Sequence, residues 1–465
     1  MSCIDLALKG GQIVTPEGIF RAGIGVKKGR IVTIAEEHSL PSTETVIDVK
    51  GMYVLPGVID AHTHLREPGR TVREDFETGT KAAAASGVTT VFEMPLAIPC
   101  VASAEILQQR RELVEKRAVV DFGLYGGAGM HNIDKIPELA ESGAIGFKTF
   151  LHAPPEGRDI EFEGAYATDD GALFEILKAI APTGLVSSIH AENNAIIQFL
   201  SQKLKDEGRK DVMAHPDSRP NFVEAETISS VIILARAAGA RLHIAHLSTR
   251  EGLNLIREAK RSGQKISVET CPHYLTFTAS DMEKLGPYVK INPPLRSEED
   301  VVELWKGVND GSIDMVVSDH APYTREEKDP GWINIWESQS GAPTIETLLP
   351  LLLNKVNEGK ITLQNLVRVT SERTAQVFGI YPRKGAIRVG SDADFVIVDL
   401  NKMATVDKKR MYSKARELTP YDGWKVKGWP VMTVVRGQVV MEAGEVVGKP
   451  GYGKFISSQE TEGAK

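Results

Sequence analysis

The stretch RLHIAHLSTREGLNLIREAKRSGQKISVETC, residues 241–271, contains the repeating unit of the central chain. RLHIAHLS (241–248) and ISVETC (266–271) are short apolar runs ending in polar residues, as buried strands do. GLNLIREAKRSG (252–263) between them reads as a helix that stops at Ser-Gly. The alternation continues on both sides. VTTVFEM (88–94), VDFGLYG (120–126), AIGFKTF (144–150), LVSSIHA (185–191) and DMVVSDH (314–320) are further candidate strands. ALFEILKAIA (172–181) and TISSVIILARAAG (227–239) are further helices. About seven or eight strands alternating with helices predict an α/β fold whose parallel sheet closes as a (β/α)8 TIM-type barrel. A doubly wound open sheet is the alternative, but no glycine-rich dinucleotide fingerprint opens the first unit.

Outside this region the texture changes. DLALKGGQIVT (5–15), GIGVKKGRIVTIA (23–35) and TVIDVKGMYV (45–54) alternate apolar and polar residues between glycine-containing turns, and so do KGAIRVGSDADFVIVDL (384–400) and PVMTVVRGQVVMEAGEVV (430–447). The simplest account is one small β-sandwich built from both chain ends. The expected division is sandwich at 1–52, barrel at 53–375, sandwich again at 376–455, and a polar, disordered tail at 456–465. Two separate β-domains would leave a similar pattern.

Composition narrows the function. The 465 residues are 42% hydrophobic and 25% charged, with a net charge of −7 and no long basic run, which speaks against nucleic acid and anionic membranes as partners. Three widely spaced cysteines, Cys3, Cys100 and Cys271, read as a reducing compartment without a disulfide framework. No signal-peptide pattern and no stretch of membrane-spanning length is evident, so a cytoplasmic protein is expected.

The histidines carry the chemistry. His62 and His64 follow an apolar strand in VLPGVIDAHTHLREPG (54–69). Two residues apart on extended chain, they face the same way and can converge on one ion. Asp60 shares that face and is placed to orient a ligand imidazole. His190, His246 and Asp319 each end a candidate strand, where barrel enzymes assemble their active sites. One histidine there is readily structural; four with an aspartate are hard to attribute to chance. His243 points away from His246 and reads as structural. His273 and His320 are candidates for substrate or supporting contacts, while His38, His131, His152 and His215 carry no assignment. By spacing alone Lys148 reads as a lysine snorkelling to the surface. A free ammonium beside two cations would be repelled, so a direct role requires chemistry that removes its charge.

As a set, Asp-x-His-x-His, Gly-Phe-Lys, His-Ala-Glu-Asn, His-Leu-Ser, Cys-Pro-His-Tyr, Asn-Pro-Pro-Leu-Arg and Ser-Asp-His-Ala-Pro resembles the cyclic amidohydrolases of the amidohydrolase superfamily. The resemblance runs nearly end to end. It implies a barrel flanked by a sandwich from both termini, and two divalent ions, zinc first, with manganese, iron or cobalt as substitutes. It further implies that Lys148 carries a CO2-derived carbamate bridging the metals. His62, His64 and Asp319 would then hold one ion and His190 and His246 the other, with Asp319 as the catalytic proton carrier. Arg66, the backbone around Asn292 and around Gly341, and His320 are the implied substrate contacts. A homotetramer acting on a small cyclic ureide or imide is implied as well. Some superfamily members have lost ligands and serve as non-catalytic assembly partners; this chain fills every ligand position.

Within the family, Arg66 in HLREPG resembles dihydroorotases, but Leu96 and Tyr323 depart from that subfamily's Met-Pro-Asn and Asp-His-Ala-Pro-His. FETGT, FEMPL, GFKTF, DSRP and CPHY resemble allantoinases, whereas DFGLYGG, KDPGW, FGIYPRKG and TPYDGW resemble L-hydantoinases. Hydrolysis of a hydantoin-type ring is therefore expected, with allantoinase first, L-hydantoinase second and dihydroorotase third.

Overall fold

The computed structural model describes residues 3–458 other than 44 and 156. The last part of the expected tail, 459–465, lies outside the described residues.

The central strands are β1 (Val58–Thr63), β2 (Val88–Glu93), β3 (Asp121–Leu124, resuming at Gly126–Gly127), β4 (Phe147–Phe150), β5 (Val186–His190), β6 (Arg241–Ile244), β7 (Ile266–Thr270) and β8 (Met315–Val316). Every neighbouring pair from β1 to β8 is parallel and in sequence order. A further parallel bridge joins Thr63, at the end of β1, to His320, just beyond β8. Parallel strands need crossovers, and helices supply them. Arg250–Arg261 connects β6 to β7; Thr249 caps it by accepting from Gly252 N, and Leu253, Ile256 and Ala259 are its buried face. It ends where Gly263 takes a positive φ of 81°. The expected helix at 227–239 is the second half of a longer one, Asn221–Ala238.

Strands from both chain ends share one seven-stranded sheet. In it Phe395–Thr405 pairs antiparallel with Tyr53–Pro56, which in turn pairs with Gln12–Thr15. A four-stranded sheet from the N-terminal segment lies beside it, and Leu8, Ile24, Val26, Val54, Phe395 and Ile397 pack in one apolar cluster. Tyr53–Pro56 thus pairs with the chain-end strands, although the sequence reading starts the central region there. Ile456, placed by sequence in the polar tail, is buried and donates its N–H to Phe122 O. No helix among the described residues is long and apolar enough to cross a membrane.

A buried ion cluster ties the chain-end sheet to the central strands. Lys384 is fully buried, and its Nζ lies 2.6 Å from Asp394, 3.2 Å from Asp392 and within bonding distance of Asp121 at the start of β3. Arg436 also meets Asp121. Removing one member of such a cluster strands the remaining charges in a low dielectric. Lys384→Met is therefore expected to destabilise the protein by about 3–5 kcal/mol in chemical denaturation. A loss below about 1 kcal/mol would mean that the cluster is not what joins the two parts.

Candidate active site

Five polar side chains at or just beyond the C-terminal ends of these strands, His62, His64, His190, His246 and Asp319, line one cavity of about 300 Å³. β1 is buried along its whole length, so its alternation sends Asp60, His62 and the following His64 to one side. The His62 and His64 rings are 5.3 Å apart. Asp319 joins them from beyond β8, with Oδ1 3.4 Å from His62 Nε2 and 3.8 Å from His64 Nε2. His190 ends β5 and His246 follows β6; His190 Nδ1 is 3.0 Å from His246 Nε2. The two pairs adjoin, since the His62 and His246 rings are 5.3 Å apart.

Lys148 sits in β4 opposite Ser188, two residues before His190. It is completely buried, and its Nζ has no hydrogen-bond partner. The surface-snorkelling reading of its spacing is therefore wrong. In a parallel strand covered on both faces a lysine has no route to water. Burial presses its pKa downward, against the pull of Glu269 and Asp319.

Burial likewise holds the imidazoles neutral: His62 is pushed down to about 4, His64 and His246 well below the usual range, and His190 lowered. A neutral imidazole offers the lone pair that a metal needs. His64 Nδ1, His246 Nδ1 and Lys148 Nζ are buried and unpartnered, and ligand atoms of His62, His64 and Asp319 lie within 4.8 Å of one another. Orphaned donors of this kind are costly unless something else satisfies them. The residues fit a divalent-metal centre.

The remaining expected contacts divide. Arg66, Asn292 and Gly341 line the cavity. Gly341 has a φ of 151°, and a Cβ there would come within 2.4 Å of Ala321 O. Of the two roles expected for His320, the supporting one fits and the substrate contact does not. It is fully buried, its Nε2 lies 3.3 Å from Glu74, and its Nδ1 accepts from Thr344 N. Its backbone carbonyl accepts from His64 N, so it frames the site from behind. Asp60 also differs from expectation, accepting from Ser318 N at 3.0 Å and so fixing the turn into Asp319.

The carboxylate that orients His62 is Glu269 on β7. It bonds His62 Nδ1 with one oxygen and His243 Nε2, 3.1 Å away, with the other. Its mark in the sequence is a lone acid inside an otherwise uncharged buried strand. Glu192 meets His190 Nε2 at 2.9 Å in the same way. His152 lines the cavity, and His215 Nε2 donates to Ile291 O beneath the Asn292 segment. Two buried lysines, also unforeseen, hold the far wall. Lys328 Nζ donates to Gln339 O and Gly341 O, and Lys290 Nζ donates to Ile335 O and Ser338 O.

Comparison with known proteins accords with this geometry. An amidohydrolase family profile matches residues 53–440. An L-hydantoinase of Paenarthrobacter aurescens is 40% identical, covering 99% of this chain and 100% of its own length. An allantoinase of Deinococcus radiodurans is 38% identical, covering 96% and 97%. A dihydroorotase of Methanosarcina acetivorans is 36% identical, covering 97% and 95%. The solved L-hydantoinase (dihydropyrimidinase) from Arthrobacter aurescens superposes with a TM-score of 0.94 at 39% identity, covering 98% of this chain and all of that one. The chain belongs to the amidohydrolase family. It is an enzyme of that family's cyclic-amide class, a cyclic amidohydrolase.

Because Glu269 fixes the His62 ring, Glu269→Ala should weaken divalent-metal binding about 10- to 100-fold while the protein stays folded. Competitive chelator titration would read this directly. An unchanged affinity would remove Glu269 from the site.

Proposed function

We propose that this enzyme hydrolyses the amide of a hydantoin-type ring, with allantoin as its first substrate. The observation carrying the proposal is the convergence of four buried neutral imidazoles, Asp319 and an unpartnered buried Lys148. We read the eight parallel strands as a closed (β/α)8 barrel, on the strength of the Thr63–His320 bridge. The flanking sheets are then a β-sandwich from the two chain ends, with the boundary expected at residue 53 moved beyond Tyr53–Pro56 and the barrel running from Val58 to about residue 375. A cytoplasmic location follows from the reducing compartment that its three widely spaced cysteines suggest, and a homotetramer from the family resemblance.

Two divalent ions, zinc first and manganese, iron or cobalt otherwise, would be held by His62, His64 and Asp319 on one side and His190 and His246 on the other. When bound, they supply Lewis acidity toward water and the scissile carbonyl. Lys148 would add oxygen ligands as a carbamate. Its uncharged Nζ forms a bond to the carbon of CO2, one N–H proton passes to solvent, and an anionic group stands where an ammonium would be repelled. Asp319 takes a proton from the attacking water and returns it to the ring nitrogen as the C–N bond breaks. The backbone around Asn292 and Gly341 binds the other amide groups of the ring, in the position that Lys290 and Lys328 hold. Arg66 contributes from the wall.

The group on ring carbon 5 decides the substrate. Arg158, His152, Ser338, Gln339 and Ser340 give the cavity a polar side suited to a ureido group. Leu96, Phe150 and Phe162 form an apolar side, which favours the second reading, a 5-substituted L-hydantoin. Dihydroorotate ranks third because Arg66 already faces Glu161 at 3.5 Å and so is partly neutralised for a substrate carboxylate.

The test is ring opening of allantoin, 5-alkyl hydantoins and dihydroorotate, measured in parallel on metal-loaded protein. Allantoin should give the highest kcat/KM. Preference for the alkyl hydantoins would transfer the assignment to hydantoinase, and inactivity on both hydantoin classes would overturn it.

A further inference from the structure

Three clusters among the described residues bring candidate metal-ligand atoms within 4.8 Å of one another. His62–His64–Asp319 belongs to the site above. Asp121–Asp392–Asp394 is filled by the chain's own Lys384. The other is Cys271–His273–Asp319. Cys271 is fully buried and His273 is 3% exposed, and neither ring nitrogen of His273 has a hydrogen-bond partner. A buried imidazole with both nitrogens idle bears the desolvation cost of both groups with nothing to offset it, and here it converges with a thiol and a carboxylate.

We propose that Cys271, His273 and Asp319 form an auxiliary site for a thiophilic divalent cation, zinc in excess or cadmium, and that its occupation inhibits the enzyme. Sulfur with imidazole selects soft and borderline ions over magnesium or calcium. Cys271 directly follows β7 and His273 lies two residues on; neither lines the cavity, whereas Asp319, within 4.8 Å of their ligand atoms, does. An ion entering from the cavity reaches Asp319 first and the thiol behind it. Binding forms the metal–sulfur bond as the Sγ–H proton leaves to solvent. Asp319 is common to this cluster and to the His62–His64 cluster, so an ion on the Cys271 side engages the carboxylate that carries the proton in the reaction. The inhibitory half rests on the proton-carrying role proposed for Asp319, whereas the binding half does not.

The experiment uses full-length enzyme carrying its resident metals and the substitutions Cys3→Ser and Cys100→Ser, so that Cys271 is the only thiol. Cadmium is added while thiolate-to-cadmium ultraviolet absorption, ions bound per chain and ring-opening rate are followed. The expected result is one further ion, the absorption band and loss of rate together. Adding Cys271→Ser should abolish all three changes, each variant being compared with its own cadmium-free rate, and His273→Ala should weaken the binding. Absence of the extra ion and band, or their persistence in Cys271→Ser, would overturn the site. Binding without loss of rate would overturn the inhibition alone. If no hydantoin is hydrolysed at all, the ion count and absorption still decide whether the site exists.

Discussion

Concentrating unpaired polar groups in a dry interior is the constraint on which the rest of this structure depends. Four imidazoles, Asp319 and Lys148 are withdrawn from water at one end of the parallel strands. Burial alone drives each of them toward its neutral form. Left to themselves such groups would be a net loss, since each unsatisfied atom forfeits about 1–3 kcal/mol. A site of this kind persists where a large apolar body offsets it and where a ligand completes it. The strand–helix array supplies the body, and the donor set fits divalent metal as the completion.

Backbone strain gathers at the same place. Six described residues other than glycine have positive φ, and three of them are Arg66, His246 and Asp319. Each such residue costs of order 1–3 kcal/mol and survives only where its surroundings over-determine it. Those surroundings are visible. Asp60 accepts from Ser318 N beside Asp319, and Glu269 both orients His62 and accepts from His246 N. His320 links β1 to Thr344 through its backbone and ring. The supports thus belong to the strands while the reacting groups belong to their tips, which separates stability from chemistry along the same chain.

Much of this was legible in the sequence because it followed period and position. Strand tips are marked by polar residues after apolar runs, so His190, His246 and Asp319 could be placed before any coordinates, and His62 and His64 followed from a two-residue spacing. What escaped had no periodic mark. Lys148 looked like a surface lysine because local spacing does not reveal that β4 is covered on both faces. His320 looked like a substrate contact because neighbouring Asp319 is at the cavity, yet successive side chains at a strand end face opposite ways. Lys290 and Lys328 act through long-range contacts with Ser338 and Gly341, pairs that a single sequence does not mark; Glu269 is marked only as a lone acid in a buried strand, without its partner His62.

The two-ion site proposed above requires Lys148 to react with CO2, because a buried ammonium cannot share such a site with two cations. The direct measurement is metal bound per chain after reconstitution of stripped protein with zinc, with and without added bicarbonate under CO2-free conditions. Two ions per chain with bicarbonate, and a marked deficit without it, is the predicted result. Full occupancy that ignores CO2, with Lys148 unmodified by mass, would contradict the account at its centre.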